Sequence, residues 1–438
     1  MASHKTSVRL SVPLDSAMAP LVAGFSEQAG IALGLSRKNA LKLTLASEEV
    51  FGYLTQHAQQ DHNLELEAAG GGYYAELRLQ VPPQAMDMTV FNLTATPSLD
   101  DPESLDDLGL LIASRSVDRF TIAAGESGDM VLSFRKEKDY PPPGDEAPAP
   151  PGELARFSVG APSPQQIKLV SRLVSRFYPA HQHPQSFTVP GKLVDMIASG
   201  EYQAVIAFDR DDQVGGCLIW RWRGDHSVQG YGPYIFGQPQ AADMAQALVD
   251  ACLQKLARTD ALGLVFGPAT EHLPPGYFEL LGELVIHTPG GETYQQPHYY
   301  RQLNEDPGDQ IWTHPRLERF LRDQYQRLFL PRRLSTTGQE GESRPAHLVI
   351  GAKINRELHS VSLHPLWDGQ DAGACLARHV KTLTEEGLPN ILLFLDLGLD
   401  WSSYLVPDIL DTGFSPRLVL PCGGQSDIVV FEHLGGAA

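Results

Sequence analysis

Two copies of one supersecondary unit constrain this chain more than any other feature. Residues 228–258 read VQGYGPYIFGQPQAADMAQALVDACLQKLAR. An extended run with Tyr231, Tyr234, Ile235 and Phe236 leads into a Gly/Pro/Gln loop over 237–240. Met244, Leu248, Val249, Cys252, Leu253 and Leu256 then recur at helical spacing. Residues 361–387 repeat the order, with Cys375, Leu376, Val380 and Leu383 on the helix and Gly387 as its C-cap. Each copy is expected to continue as a strand (262–266; 390–395) and a short helix (275–284; 403–412). A repeat of this kind predicts two domains of one architecture. Where a strand stops and a helix starts, the first-turn N–H groups are unpaired and attract phosphate. An ordinary strand–helix unit of an α/β sheet is the competing reading.

Ahead of the repeat, residues 1–138 predict a mixed α+β unit. Strands are expected at 8–12, 70–81, 88–93 and 130–134. Helices are expected at 17–33, from Ser36 to about 59, and at 107–120. Residues 139–153, DYPPPGDEAPAPPGE, form a stiff acidic spacer. It separates the first unit from two α/β units at 154–304 and 305–438. The fold class expected is therefore a multidomain α/β and α+β chain.

Charge narrows the function. A net charge of −19, from 34 basic and 53 acidic residues, opposes general nucleic-acid or anionic-membrane binding. The four cysteines form no Cys-x-x-Cys pair, and no apolar signal core or membrane-length run occurs. A cytoplasmic, reducing location is expected. His181 and His183 lack a third ligand at fixed spacing, so a loop and no metal are expected there. Trp220, Arg221, Trp222 and Arg223 alternate like an edge strand with a wet face.

The stretch 43–58, LTLASEEVFGYLTQHA, resembles the first ATP-site helix of the GHKL or histidine-kinase-type ATPases, in the manner of anti-sigma-factor serine kinases. Residues 105–122 resemble that family's second glycine box and 128–137 its closing strand. The resemblance implies an α/β sandwich, serine/threonine kinase-type activity with ATP and magnesium, and a signalling protein partner. It places Glu49 at the family's glutamate and Asn92 and Gly109 on the nucleotide boxes. The magnesium-holding asparagine position is Tyr53, a poor ligand beside an amide oxygen. Asp107 replaces a glycine that faces phosphate, and an acid there repels it. The sandwich is therefore expected to bind MgATP weakly or not at all.

From 156 to 304 the order resembles the GNAT-type N-acyltransferase fold, and 310–438 repeats it. The resemblance implies a slot for acyl-CoA (acetyl-CoA) pantetheine where two central strands part, and a loop that holds the diphosphate. In the first copy that loop is Gln238 to Asp243 with Ala241 at a small position, and Asp243 brings an acid. In the second copy, Gln370, Asp371, Ala372, Gly373, Ala374 and Cys375 match better, and acyl-CoA is expected there. The family's general-acid tyrosine falls on Phe278 and Ile409, so Tyr277 and Tyr404 are the nearest phenols. Two functions follow. One is a regulatory protein that transfers an acyl group from acyl-CoA to an amine. The other is a non-catalytic signalling scaffold that binds a partner through residues 1–138 and senses a ligand or dimerises through the acyltransferase-like units.

Overall fold

The computed structural model describes residues 6–57, 63–82, 88–95, 102–125, 130–142, 148–288, 290–336 and 344–433. Residue 58 of the first ATP-site stretch, 143–147 of the proline-rich stretch and 128–129 of the closing-strand stretch lie outside these. The chain divides into two compact units. One comprises Met1–Tyr140 with Ser343–Ala352 and His364–His379. The other comprises Pro141–Glu342, Lys353–Leu363 and Val380–Ala438.

The first unit carries β1 (Ser7–Pro13), α1 (Ala19–Ala32), α2 (Arg37–His57), β2 (Asn63–Gly70), β3 (Tyr74–Val81), α3 (Pro102–Ser116), β4 (Arg119–Ala124) and β5 (Met130–Glu137). The sheet order is β1-β2-β3-β5-β4, antiparallel throughout. Along β5 burial alternates, so Met130, Leu132 and Phe134 join Leu43, Val50 and Leu54 of α2 in one core. The result is a two-layer α/β sandwich. Two expectations change. Residues 88–93 are a 3₁₀ turn, Met88–Phe91, and not a strand. Phe91 stacks on Phe120 at 4.6 Å. The Asn92 side-chain amide, in place of its backbone, pairs with the backbone of Leu348 and Ile350. The helix expected at 107–120 is Pro102–Ser116, because Asp118 binds Lys136 and the Glu137 N–H and turns the chain into β4.

The second unit opens with β6 (Ser158–Gly160), α4 (Pro164–Phe177), α5 (Pro190–Ala198), β7 (Tyr202–Phe208), β8 (Val214–Arg223), β9 (Ser227–Ile235), α6 (Ala241–Leu256), β10 (Gly263–Ala269), β11 (Glu279–His287) and β12 (Thr293–Gln302). These strands form one sheet in the order β11-β12-β10-β9-β8-β7-β6, with β9 and β10 parallel. A Ser163–Gln166 capping box starts α4. The apolar stripe of α6, Met244, Leu248, Val249 and Cys252, packs on Val205, Leu218, Trp220, Val228 and Phe266. On the opposite face, Ile167 and Val170 of α4 and Leu193 of α5 cover Ala204, Ile206, Cys217 and Ile219.

Two further expectations change here. Residues 275–284 form no helix. Glu279–His287 is a strand, because ELLGELVIH pairs along its length with β12. The Trp220–Arg223 stripe is not at a sheet edge. It ends β8, which lies between β7 and β9, and Trp220 is fully buried.

The remaining elements are β13 (Asp309–Thr313), α7 (Pro315–Leu328), β14 (Arg332–Thr336), β15 (Val349–Asn355), β16 (Ser360–Trp367), α8 (Ala372–Glu385), β17 (Asn390–Asp396), α9 (Ser402–Asp411), β18 (Phe414–Leu420) and β19 (Ile428–His433). The sheet order is β15-β16-β17-β19-β18, with β16 and β17 parallel, as β9 and β10 are. The repeat is thus present in its central strand–helix–strand, and the copies differ after it. The chain as a whole is a mixed α/β multidomain protein.

Candidate functional site

In the first copy the strand pair β9–β10 parts partway along its length. The two run in register from Ser227↔Gly263 to Gly230↔Phe266, then shift, and the next pair is Gly232↔Ala269. Pro233 and Pro268 lack an N–H and break the ladder there. Beyond the break β9 continues to Ile235. The Phe236 N–H bonds Gly215 of β8, so by strand alternation the N–H and C=O of Ile235 face the β10 side.

Both groups are already bound. The Tyr178 hydroxyl, on the residue that caps α4, accepts from the Ile235 N–H at 2.6 Å and donates to its C=O at 3.1 Å. The Tyr178 ring meets Tyr234 edge-on at 4.9 Å. Burial pushes its phenol pKa well up, which keeps the donating proton in place. The Thr270 hydroxyl donates to the Pro233 C=O at 2.7 Å. Two side chains therefore occupy the backbone of the parting. Nothing in the sequence marked Tyr178 or Thr270, because neither sits in a recognisable motif.

The loop after β9 is similarly engaged. Gln238 is buried. Its amide oxygen accepts from the Leu154 N–H at 2.8 Å, and its nitrogen donates to the carbonyls of Gly152 and Phe236. It thus fastens the end of the proline-rich stretch, whose Leu154 enters the α6 core. Ala241 opens α6, and Asp243 stands exposed in its first turn. The Tyr277 hydroxyl accepts from Gln246 of α6 at 2.9 Å, and Arg301 lies over its ring at 5.5 Å.

In the second loop the N–H groups of Gln370 and Asp371 bond the carbonyls of Pro345 and Ala346. The Gln370 side chain donates to the Arg344 C=O. The Asp371 carboxylate accepts from the Leu348 N–H at 2.7 Å and lies near His347 and Arg378. Ala372 and Cys375 are buried, Gly373 is half-buried and Ala374 is exposed. Burial raises the Cys375 thiol pKa to about 11, with Asp371 adding to it. Tyr404 is half-buried on α9.

In the sandwich, Glu49 and Gly109 are brought together: a Cβ on Gly109 would lie 2.1 Å from Glu49 Oε2. Burial and the neighbouring Glu48 raise the Glu49 pKa. Tyr53 is buried with its ring 4.3 Å from that of His57. Both ends of the Asn92 amide are engaged by backbone. His181 lies against the Tyr294 ring, and His183 Nδ1 is 3.3 Å from the Pro184 C=O. Among the described residues no group of three or more His, Cys, Asp or Glu side chains could hold a metal, and no helix is long and apolar enough to cross a membrane.

No protein-family model matches the chain, and no curated protein does. Solved structures do. An aminoglycoside 6'-acetyltransferase type Ii is similar at 15% identity and a TM-score of 0.27, over 34% of this chain and 99% of that one. A phosphinothricin acetyltransferase of the GNAT superfamily from Sinorhizobium meliloti, in complex with AcCoA, is similar at 13% identity and 0.29, over 34% and 89%. A spermidine/spermine N-acetyltransferase from Vibrio cholerae is similar at 17% identity and 0.27, over 34% and 95%.

Proposed function

We propose that the chain is a regulatory scaffold in which acyltransferase-type α/β units bind and position partners without transferring acyl groups. The observation that carries this reading is the double hydrogen bond from Tyr178 to Ile235. An acyl-CoA pantetheine that lay in the parting would need those backbone groups, and they are satisfied internally. The second loop supports the same reading. Its Gln370 and Asp371 N–H groups serve Pro345 and Ala346, and the Asp371 carboxylate opposes a diphosphate. The N-terminal sandwich is then the protein-binding module. Tyr53 at the magnesium position and the engaged Asn92 amide do not fit MgATP.

Acyl transfer is the second reading, and the parted strands β9 and β10 favour it. In it Tyr178 swings aside, acyl-CoA enters, and an amine attacks the thioester carbonyl; the C–N bond forms, the C–S bond breaks, and the proton lost by the amine ends on the departing CoA thiolate. Calorimetry of the full chain with acetyl-CoA, MgATP and a longer acyl-CoA separates the two. The scaffold reading expects no saturable heat that Ala241→Asp or Gly373→Asp abolishes. Micromolar binding of acetyl-CoA, lost in Ala241→Asp or in Gly373→Asp, would sink it and also say which copy binds.

A further inference from the structure

The face of the seven-stranded sheet opposite α6 changes character along its length. Under α4 and α5 it is apolar. Toward the ends of β8 and β9 it carries Arg221, Arg223, Ser227, Gln229 and Tyr231, and β12 adds His298. Pairing puts them on one side. Arg221 sits opposite Gln229, Arg223 opposite Ser227, and Ile219 opposite Tyr231. Gln229 lies beside Val265 in β10, and the His298 ring packs over Gly267 of the same strand. The two arginines are alternate residues of one strand, about 7 Å apart, so their guanidinium groups can converge on one point.

Among the described residues neither arginine forms an ion pair. Both arginines are half-buried, yet no carboxylate reaches either within ion-pair distance among the described residues. Glu201 acts on Arg221 only from further away. The nearest neighbours are aromatic: Tyr202 at 5.5 Å from Arg221, Phe394 at 5.7 Å from Arg223, and the Tyr231 phenol, which acts on both arginines and carries no charge while protonated. Arg221 Nε and Ser227 Oγ are buried without a hydrogen-bond partner among the described residues, and Ser227 is 1% exposed. Burial, with Arg221 beside it, lowers the Arg223 pKa to about 10. Burial also lowers that of His298 to about 4, so the imidazole adds no charge. A protein with net charge −19 has no shortage of acids to place here. Enclosed cations are normally paired, because an unpaired one is costly.

We propose that Arg221 and Arg223 form the binding site for the oxyanion of a small molecule, a carboxylate or a phosphoryl group, with Ser227 supplying a further donor. Two guanidinium forks match the paired oxygens of such a group. This names a small-molecule ligand class for the scaffold and rests on that reading, which Ala241→Asp and Gly373→Asp test without touching either arginine.

The test is thermal unfolding and calorimetry of the full chain with inorganic phosphate and with succinate, against sodium chloride at matched ionic strength. Wild type should show a saturable rise in melting temperature with at least one anion. Phosphate alone would indicate a phosphoryl ligand, succinate alone a carboxylate, and both a shared site. Arg223→Gln should weaken binding about tenfold or more, a change of ~1.4 kcal/mol. Without ligand it should melt no lower than wild type, because an unmatched charge has been removed. Arg221→Gln should behave alike. The proposal fails if neither anion stabilises wild type, if the variants respond as wild type does, or if both variants are destabilised without ligand.

Discussion

The Asn390 side chain closes both backbone groups of His287: its oxygen accepts from the His287 N–H at 2.8 Å and its nitrogen donates to the His287 C=O at 2.8 Å. An amide carries a donor and an acceptor on separate atoms, so it can serve both backbone groups at once. Here it ties β17 to β11. Asn390 is nearly fully buried, so water cannot replace it. Asn390→Ala should cost about 2–3 kcal/mol, the penalty for leaving buried polar groups unmatched. Urea unfolding followed by tryptophan fluorescence reads this directly, and a loss below half a kcal/mol would show that the pairing is dispensable.

Arg332 has its side chain fully buried between Asp306 at 2.7 Å and Asp427 at 2.8 Å. Removing Asp427 leaves the buried guanidinium with Asp306 alone and the Cys422 N–H without its acceptor. Asp427→Ala should lower stability by about 3–5 kcal/mol. Replacing the whole group with apolar residues should cost far less, and comparing the two variants in the same denaturant series distinguishes a structural ion pair from a dispensable one.

Glu49 carries a raised pKa in the folded chain. A carboxyl raised above its unfolded value penalises folding as pH climbs from the unfolded pKa through the folded one. Below both values the penalty vanishes. Glu49→Gln should therefore raise stability at neutral pH by about a few tenths of a kcal/mol given its solvent access, read as a small rise in melting temperature. The gain should fade in acid. A gain that is equal at pH 7 and in acid would contradict the assignment.

Gly369 precedes the second loop, and a Cβ there would lie 1.9 Å from Leu348 N and 2.1 Å from His347 C. Backbone atoms cannot yield as a side-chain tip can. Gly369→Ala should cost about 1–3 kcal/mol. Gly387→Ala makes a control of different origin, since Gly387 has open space but a φ of +73° and loses stability through backbone strain alone.

Helices α6 and α8 were legible because their apolar residues recur every three or four positions and nothing else competes. Residues 275–284 were not. Leu280, Leu281 and Leu284 satisfy a helical stripe, yet the same run reads as a strand once β12 lies alongside. A period in one segment cannot report its neighbour. Asn92 fell in a run that alternates well enough for a strand. Its partners, Leu348 and Ile350, lie more than two hundred residues away, beyond any local pattern. For Tyr178 the difficulty is similar: an aromatic residue after a helix is ordinary until Ile235 is placed beside its hydroxyl. The alternation of Trp220–Arg223 was legible, but not that β7 and β9 flank it, because strand neighbours are set by pairing beyond the segment itself.

The first compact unit draws residues from both the start of the chain and the region between Ser343 and His379. During synthesis the sandwich emerges from the ribosome first and without those late pieces. The groups that Asn92 binds do not yet exist, and the whole seven-stranded sheet is made in the interval. Completion of the N-terminal module is thus a report that translation has passed His379, and a chain truncated before that point displays an unfinished surface to the cell's quality control.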